Sequence, residues 1–188
     1  MLNNKKMNIS RLNTVFLLFA IICLLDGKDI NHASHTISIV IPKIALLDIE
    51  SVNTNNITLQ MISPTESGDH LISATDNNIW LNVSSVIESG KARDITVKLD
   101  EPVQGIDLRV ASDIYSGSGY GEWGTPQPEI SLTQYDQLLV SNLKSGITGN
   151  GTFNGFNLRY LAQSIDSDYE NINSTMGKDI TVTYTLTH

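Results

Sequence analysis

Residues 178–188 read KDITVTYTLTH. Ile180, Val182, Tyr184 and Leu186 occupy one phase, and Thr181, Thr183, Thr185 and Thr187 the other. Successive side chains of an extended segment point to opposite faces, so this run has one apolar and one polar face. Its β-branched and aromatic residues suit a pleated surface. The run predicts a half-buried β-strand.

The same period recurs upstream. Phe156, Leu158 and Tyr160 alternate with Asn157 and Arg159; Ile106, Leu108 and Val110 with Asp107 and Arg109; Ile95, Val97 and Leu99 with Thr96 and Lys98. Ile79, Leu81 and Val83 alternate with Trp80, Asn82 and Ser84; Ile57, Leu59 and Met61 with Thr58 and Gln60. Ile37, Ile39 and Ile41 alternate with Ser38 and Val40 before Pro42 interrupts. Ile44–Ile49 and Leu138–Leu143 are shorter apolar runs, and Leu132–Leu143 has room for one helical turn because Thr133–Gln137 breaks the alternation. Turn-forming clusters separate the runs, among them Ser63-Pro64, Glu88-Ser89-Gly90-Lys91 and Gly149-Asn150-Gly151. No amphipathic helix stands out after the N-terminal segment. Eight or nine strands with short turns predict an all-β fold, an antiparallel immunoglobulin-like β-sandwich. No linker composition and no repeat divides residues 34–188, which are expected to form one domain.

The first residues are of another kind. Lys5, Lys6 and Arg11 precede the apolar run Thr14–Leu25 (TVFLLFAIICLL), which is short for a bilayer span. This is the pattern of a secretory signal peptide over residues 1–33, cleaved after Gly27 or Ala33. Cys23 lacks a lipobox, because Ile22 precedes it and Leu24-Leu25 continue the apolar run. Cleavage after Ala33 removes the single cysteine, so the remaining domain rests on its core without disulfides. The protein has 12 Lys+Arg against 20 Asp+Glu, a net charge of −8. That balance excludes nucleic acid as a partner, since phosphate binding needs clustered bases. No membrane span is expected after cleavage.

Several motifs invite chemistry, and most have a plainer explanation. Gly119, Gly121 and Gly124 satisfy G-x-G-x-x-G, yet Thr125-Pro126-Gln127-Pro128 follows where a dinucleotide site needs a helix. The surrounding loop, YSGSGYGEWGTPQP over 115–128, sets Tyr115, Tyr120 and Trp123 among glycines. Loop aromatics can stack on sugar rings, so these three form a candidate ligand loop; the plainer alternative folds Trp123 back as a lid on the sandwich. Trp80 falls on the polar phase of its strand, which implies a surface aromatic, a sheet buried on both faces or one misjudged register. Asp166, Asp168 and Glu170 alternate like calcium ligands, but Asn171 and Gly177 stand where an EF-hand needs glycine and glutamate, so a solvated acidic turn is expected. His32, His35, His70 and His188 lack zinc spacing, and no nucleophile motif appears. No catalytic residue, cofactor or metal is expected, and the protein is not read as an enzyme.

The terminal strands carry a resemblance. HTISIVIPKIALLDI follows the signal peptide as a long apolar strand, GTFNGFNLRYLAQ reads as a penultimate core strand, and KDITVTYTLTH is the last. This layout is similar to bacterial fimbrial, pilin-like subunits of the chaperone–usher kind. The resemblance implies an incomplete sandwich completed by strand addition from a neighbour. Ile37, Ile39 and Ile41 would then be the donated side chains, and Ile180, Val182, Tyr184 and Leu186 would line the acceptor. The implied partners are copies of the protein or other surface subunits. The implied location is the periplasm or bacterial cell surface, and the implied role is structural or adhesive. A carbohydrate-binding module using Tyr115, Tyr120 and Trp123, with a glycan as partner, is the alternative.

Overall fold

The structure, a computed structural model, describes residues 32–54, 56–174 and 178–187. Residues 1–31, which hold nearly all of the expected signal peptide, lie outside the described residues. Of the described residues, those from 41 onward form one compact unit, and those up to 40 belong to another.

The described residues are antiparallel β almost throughout. In order the strands are β1 (Ile44–Ser51), β2 (Ala74–Val86), β3 (Arg93–Leu99), β4 (Ile106–Ser112), β5 (Tyr120–Gly121), β6 (Thr125–Pro126), β7 (Ile130–Ser131), β8 (Gln137–Leu143), β9 (Gly146–Ile147), β10 (Phe156–Ser164) and β11 (Val182–Leu186). One 3-10 helix, Asp166–Asn171, lies between β10 and β11. The first sheet runs β5-β9-β2-β10-β4-β7, with β1 also paired to β2; the second runs β11-β3-β8-β6. The expected strand number falls short of these eleven because β5, β6, β7 and β9 are two-residue ladders. Pairs that short leave no periodicity to read in a sequence.

The alternation predicts the core residue by residue. In β3, Ile95, Val97 and Leu99 are buried while Thr96 and Lys98 are not. In β10, Phe156, Leu158, Tyr160 and Ala162 are buried between Asn157, Arg159 and Leu161. With Ile79, Leu81, Val83, Leu108, Val110, Leu139, Val140 and Leu143 they make one core between the two sheets. Each large apolar residue taken fully out of water contributes roughly 1.5–3 kcal/mol.

Three local expectations change. Ile37–Ile41 forms no strand; Pro42 beside it lacks a backbone donor. Ile57, Leu59 and Met61 keep their alternation, packing half-buried on the core with exposed Thr58 and Gln60 between, but they pair with no strand among the described residues. Apolar periodicity reports a buried face and does not require a ladder. Thr133–Gln137 holds a bend instead of a helical turn, because the amide oxygen of Gln137 accepts the Thr133 backbone N–H at 2.9 Å and the Thr133 hydroxyl at 3.2 Å.

Trp80 belongs to a stretch of β2, Ile79–Val83, that is buried on both faces. Phe153 stacks on its ring at 4.5 Å between centroids, and the buried Asn82 amide donates to the Gly151 carbonyl at 3.1 Å. The loop after β9 thus covers the outer face of β2 and explains an indole on the polar phase.

Candidate interaction surfaces

The last strand is held firmly on one side. Thr181 N–H donates to the Asp100 carboxylate at 2.9 Å, and the Asp100 amide donates to the Thr181 carbonyl at 3.0 Å. The first of these bonds holds the Asp100 carboxyl below its usual range. At the other end Thr187 N–H donates to the Asp94 carbonyl, the Asp94 amide donates to the Thr187 hydroxyl, and Arg93 donates to the Thr187 carbonyl. Beneath the strand, the Tyr184 and Tyr160 hydroxyls share a hydrogen bond that ties the two sheets together. Burial pushes the Tyr160 phenol up to about 12 and Tyr184 well above its ordinary value.

The backbone of β11 alternates as well. Thr181 and Thr187 spend their main-chain groups on β3, so by antiparallel alternation Val182, Tyr184 and Leu186 direct theirs to the opposite edge. Strand β1 passes near β11 but spends its ladder on β2, and among the described residues no strand pairs with that edge. The side chains of the same three residues, with Ile180, pack partly buried on the core. The structure therefore brings Ile180, Val182, Tyr184 and Leu186 together along an unpaired, half-apolar edge.

Ile37, Ile39 and Ile41 are 72, 80 and 73% exposed, and Val40 is 88% exposed. Such a density of uncovered isoleucine is unusual in a run only five residues long, for exposed apolar residues are ordinarily scattered.

The aromatic loop is built differently from a platform. Tyr115 and Trp123 stack at 4.3 Å, and Tyr115 meets the buried Phe156 at 5.8 Å. The Tyr115 hydroxyl donates to the Thr148 carbonyl at 2.7 Å and accepts the Gly119 amide at 2.5 Å, which closes the loop on itself. Trp123 packs against Gly146. Two of the three rings thus serve the core, and Tyr120 alone is 80% exposed. The glycines of G-x-G-x-x-G have a packing reason: Gly124 has φ +71° and sits so close to the Ser141 carbonyl that a Cβ would collide.

A second apolar feature was hidden in the sequence. Tyr120 pairs with Ile147, Ile147 with Ser84, and Ser84 with Leu46, so the four form one row across β5, β9, β2 and β1. Tyr120, Ile147 and Leu46 are all exposed. Only the register reveals this row, since β5 and β9 leave no sequence pattern.

The acidic turn is a structural pin. The Asp168 carboxylate accepts the Gly105 amide at 2.8 Å and the Asn171 amide at 2.6 Å, tying the 3-10 helix to the turn before β4. Among the described residues no group of three His, Cys, Asp or Glu side chains is placed to hold a metal ion. A cavity of about 240 Å³ lies nearby, lined by Leu99, Val103, Ile106, Leu108 and Leu132. Its two carboxylates are already engaged, Asp168 as above and Asp107 with Arg109. Among the described residues no helix is long and apolar enough to cross a membrane. No family model, no curated protein and no solved structure matches the sequence or the fold.

Proposed function

We propose that this is a secreted structural or adhesive β-sandwich protein that assembles by strand addition, in the manner of a pilin-like subunit. The observation that carries the proposal is the uncovered run Ile37–Ile41. Its apolar phase matches what a strand needs to pair and bury, yet these side chains stand exposed among the described residues. The unpaired edge of β11 supplies the complement, with outward main-chain groups at Val182, Tyr184 and Leu186 and a partly buried apolar face beneath. Strand addition draws affinity from main-chain hydrogen bonds and specificity from alternate side chains. Periplasmic or surface location follows from the signal-peptide pattern of residues 1–33, and the partners are further copies or companion subunits.

Light scattering on residues 34–188 tests this. Oligomers are expected, and they should revert to monomers in Ile39→Asp, which places a charge in the middle of the donated face. A wild-type protein that stays monomeric at high concentration contradicts the proposal. The glycan alternative retains one exposed ring of its three, and no further observation favours it.

A further inference from the structure

The loop between β9 and β10 contains two Asn-Gly dipeptides, Asn150-Gly151 and Asn154-Gly155. Glycine leaves its amide nitrogen unshielded, so that nitrogen can approach and attack the γ-carbon of the preceding asparagine. A bond forms between the glycine nitrogen and that carbon. The bond from the same carbon to the asparagine Nδ2 breaks, and Nδ2 leaves as ammonia with the proton from the glycine nitrogen. Water then opens the resulting succinimide at either carbonyl, giving aspartate or isoaspartate.

The fold treats the two dipeptides oppositely. Asn150 is exposed, and its side chain makes no hydrogen bond to a described residue. Gly151 has open space on the side where a Cβ would stand, and its amide makes no backbone hydrogen bond among the described residues. Asn154 is tied at both ends of its amide. The nitrogen donates to the Asn150 carbonyl at 2.8 Å and to the Thr152 carbonyl at 3.5 Å, and the oxygen accepts the Ser118 hydroxyl at 3.0 Å. Gly155 is buried and packed against the Leu81 backbone and the Asn82 side chain. Neither partner of that pair can make the movement that ring closure requires.

We infer that Asn150 is a site of self-modification, converting to aspartate and isoaspartate through Gly151, while Asn154 remains an amide. The position gives the change a structural consequence. Isoaspartate adds a backbone carbon immediately before Gly151, whose carbonyl accepts the buried Asn82 amide and anchors the cover over Trp80. The modified loop also gains one negative charge.

The experiment incubates residues 34–188 at mildly alkaline pH and follows the two peptides by mass after digestion. The Asn150 peptide should gain one mass unit several-fold faster than the Asn154 peptide. In urea the two rates should become comparable, which assigns the difference to the fold. Equal rates in the folded protein, a faster Asn154, or no change at Asn150 in the folded protein would each overturn the inference. In a Trp123→Phe background Trp80 is the remaining tryptophan. Its emission should move to the red as Asn150 converts, and Asn150→Gln should abolish the shift. Conversion without a shift would overturn the link to the Trp80 cover.

Discussion

Burial of Tyr160 and Tyr184 makes the sandwich sensitive to alkali. When the protein is unfolded a tyrosine ionises near 10. In the fold Tyr160 is pushed up to about 12 and Tyr184 well above its ordinary value, chiefly by burial. Both shifts are upward and favour the neutral form, so their stabilisation is complete below the unfolded value and declines as pH rises from about 10 towards 12. At pH 11 an unfolded tyrosine is ionised about ten to one, whereas a group at about 12 is ionised one to ten. The difference is about 1 kcal/mol for Tyr160, and Tyr184 adds to it in the same direction. With a urea slope near 2 kcal/mol per molar, the unfolding midpoint should fall by roughly 0.5 M or more between pH 8 and pH 11. The comparison is made against Tyr160→Phe/Tyr184→Phe, which removes these two phenols and leaves the rest of the protein unchanged. Removing both hydroxyls together leaves no orphaned partner and should be nearly neutral at pH 8. Urea unfolding of both proteins at the two pH values is the assay. Equal losses in wild type and double variant would refute the argument.

Other substitutions separate the core from the surface. Phe156 is fully buried between the sheets, and Phe156→Ala should cost about 3–5 kcal/mol in urea unfolding. Trp123→Ala should cost about 2 kcal/mol or more because the indole packs on Tyr115, while Tyr120→Ala, at an exposed ring, should stay within about 0.5 kcal/mol. Equal effects of those two changes would contradict the placement of the loop. Asp168→Ala leaves the Gly105 amide without its acceptor and should lower stability by about 1–3 kcal/mol, read as a fall in melting temperature.

The strands that carry the core were legible because each of β2, β3, β4 and β10 has a buried face and β11 a partly buried one, and burial imprints a period of two. The two sheets and their antiparallel pairing follow from those runs and their turns. Other features leave no such imprint. β5, β6, β7 and β9 are too short for a period, so the row from Tyr120 to Leu46 needed the register. Ile57–Met61 and Ile37–Ile41 share one pattern, yet one packs on the core and the other is exposed, because alternation states which side chains face together and not what covers them. Trp80 was readable only as a choice among a surface aromatic, a sheet buried on both faces and a misjudged register, and a glycine-rich loop some seventy residues later in the sequence resolves it. Tyr115 and Trp123 looked like ligand aromatics since a loop composition does not reveal that Tyr115 meets the buried Phe156 and Trp123 stacks on Tyr115. The pairing of Tyr184 with Tyr160 depends on contact across the two sheets, beyond any local pattern.

Strand addition at β11 is tested most directly by amide hydrogen exchange at Val182, Tyr184 and Leu186. Their N–H groups face the unpaired edge, whereas those of Thr183 and Thr185 face β3. Residues 34–188 at assembling concentration are compared with the Ile39→Asp variant of the same protein. Strand addition predicts that the three edge amides exchange quickly in the variant and become protected in the assembled wild type, with Thr183 and Thr185 protected in both. Assembly that leaves Val182, Tyr184 and Leu186 exchanging as fast as in the variant would contradict it.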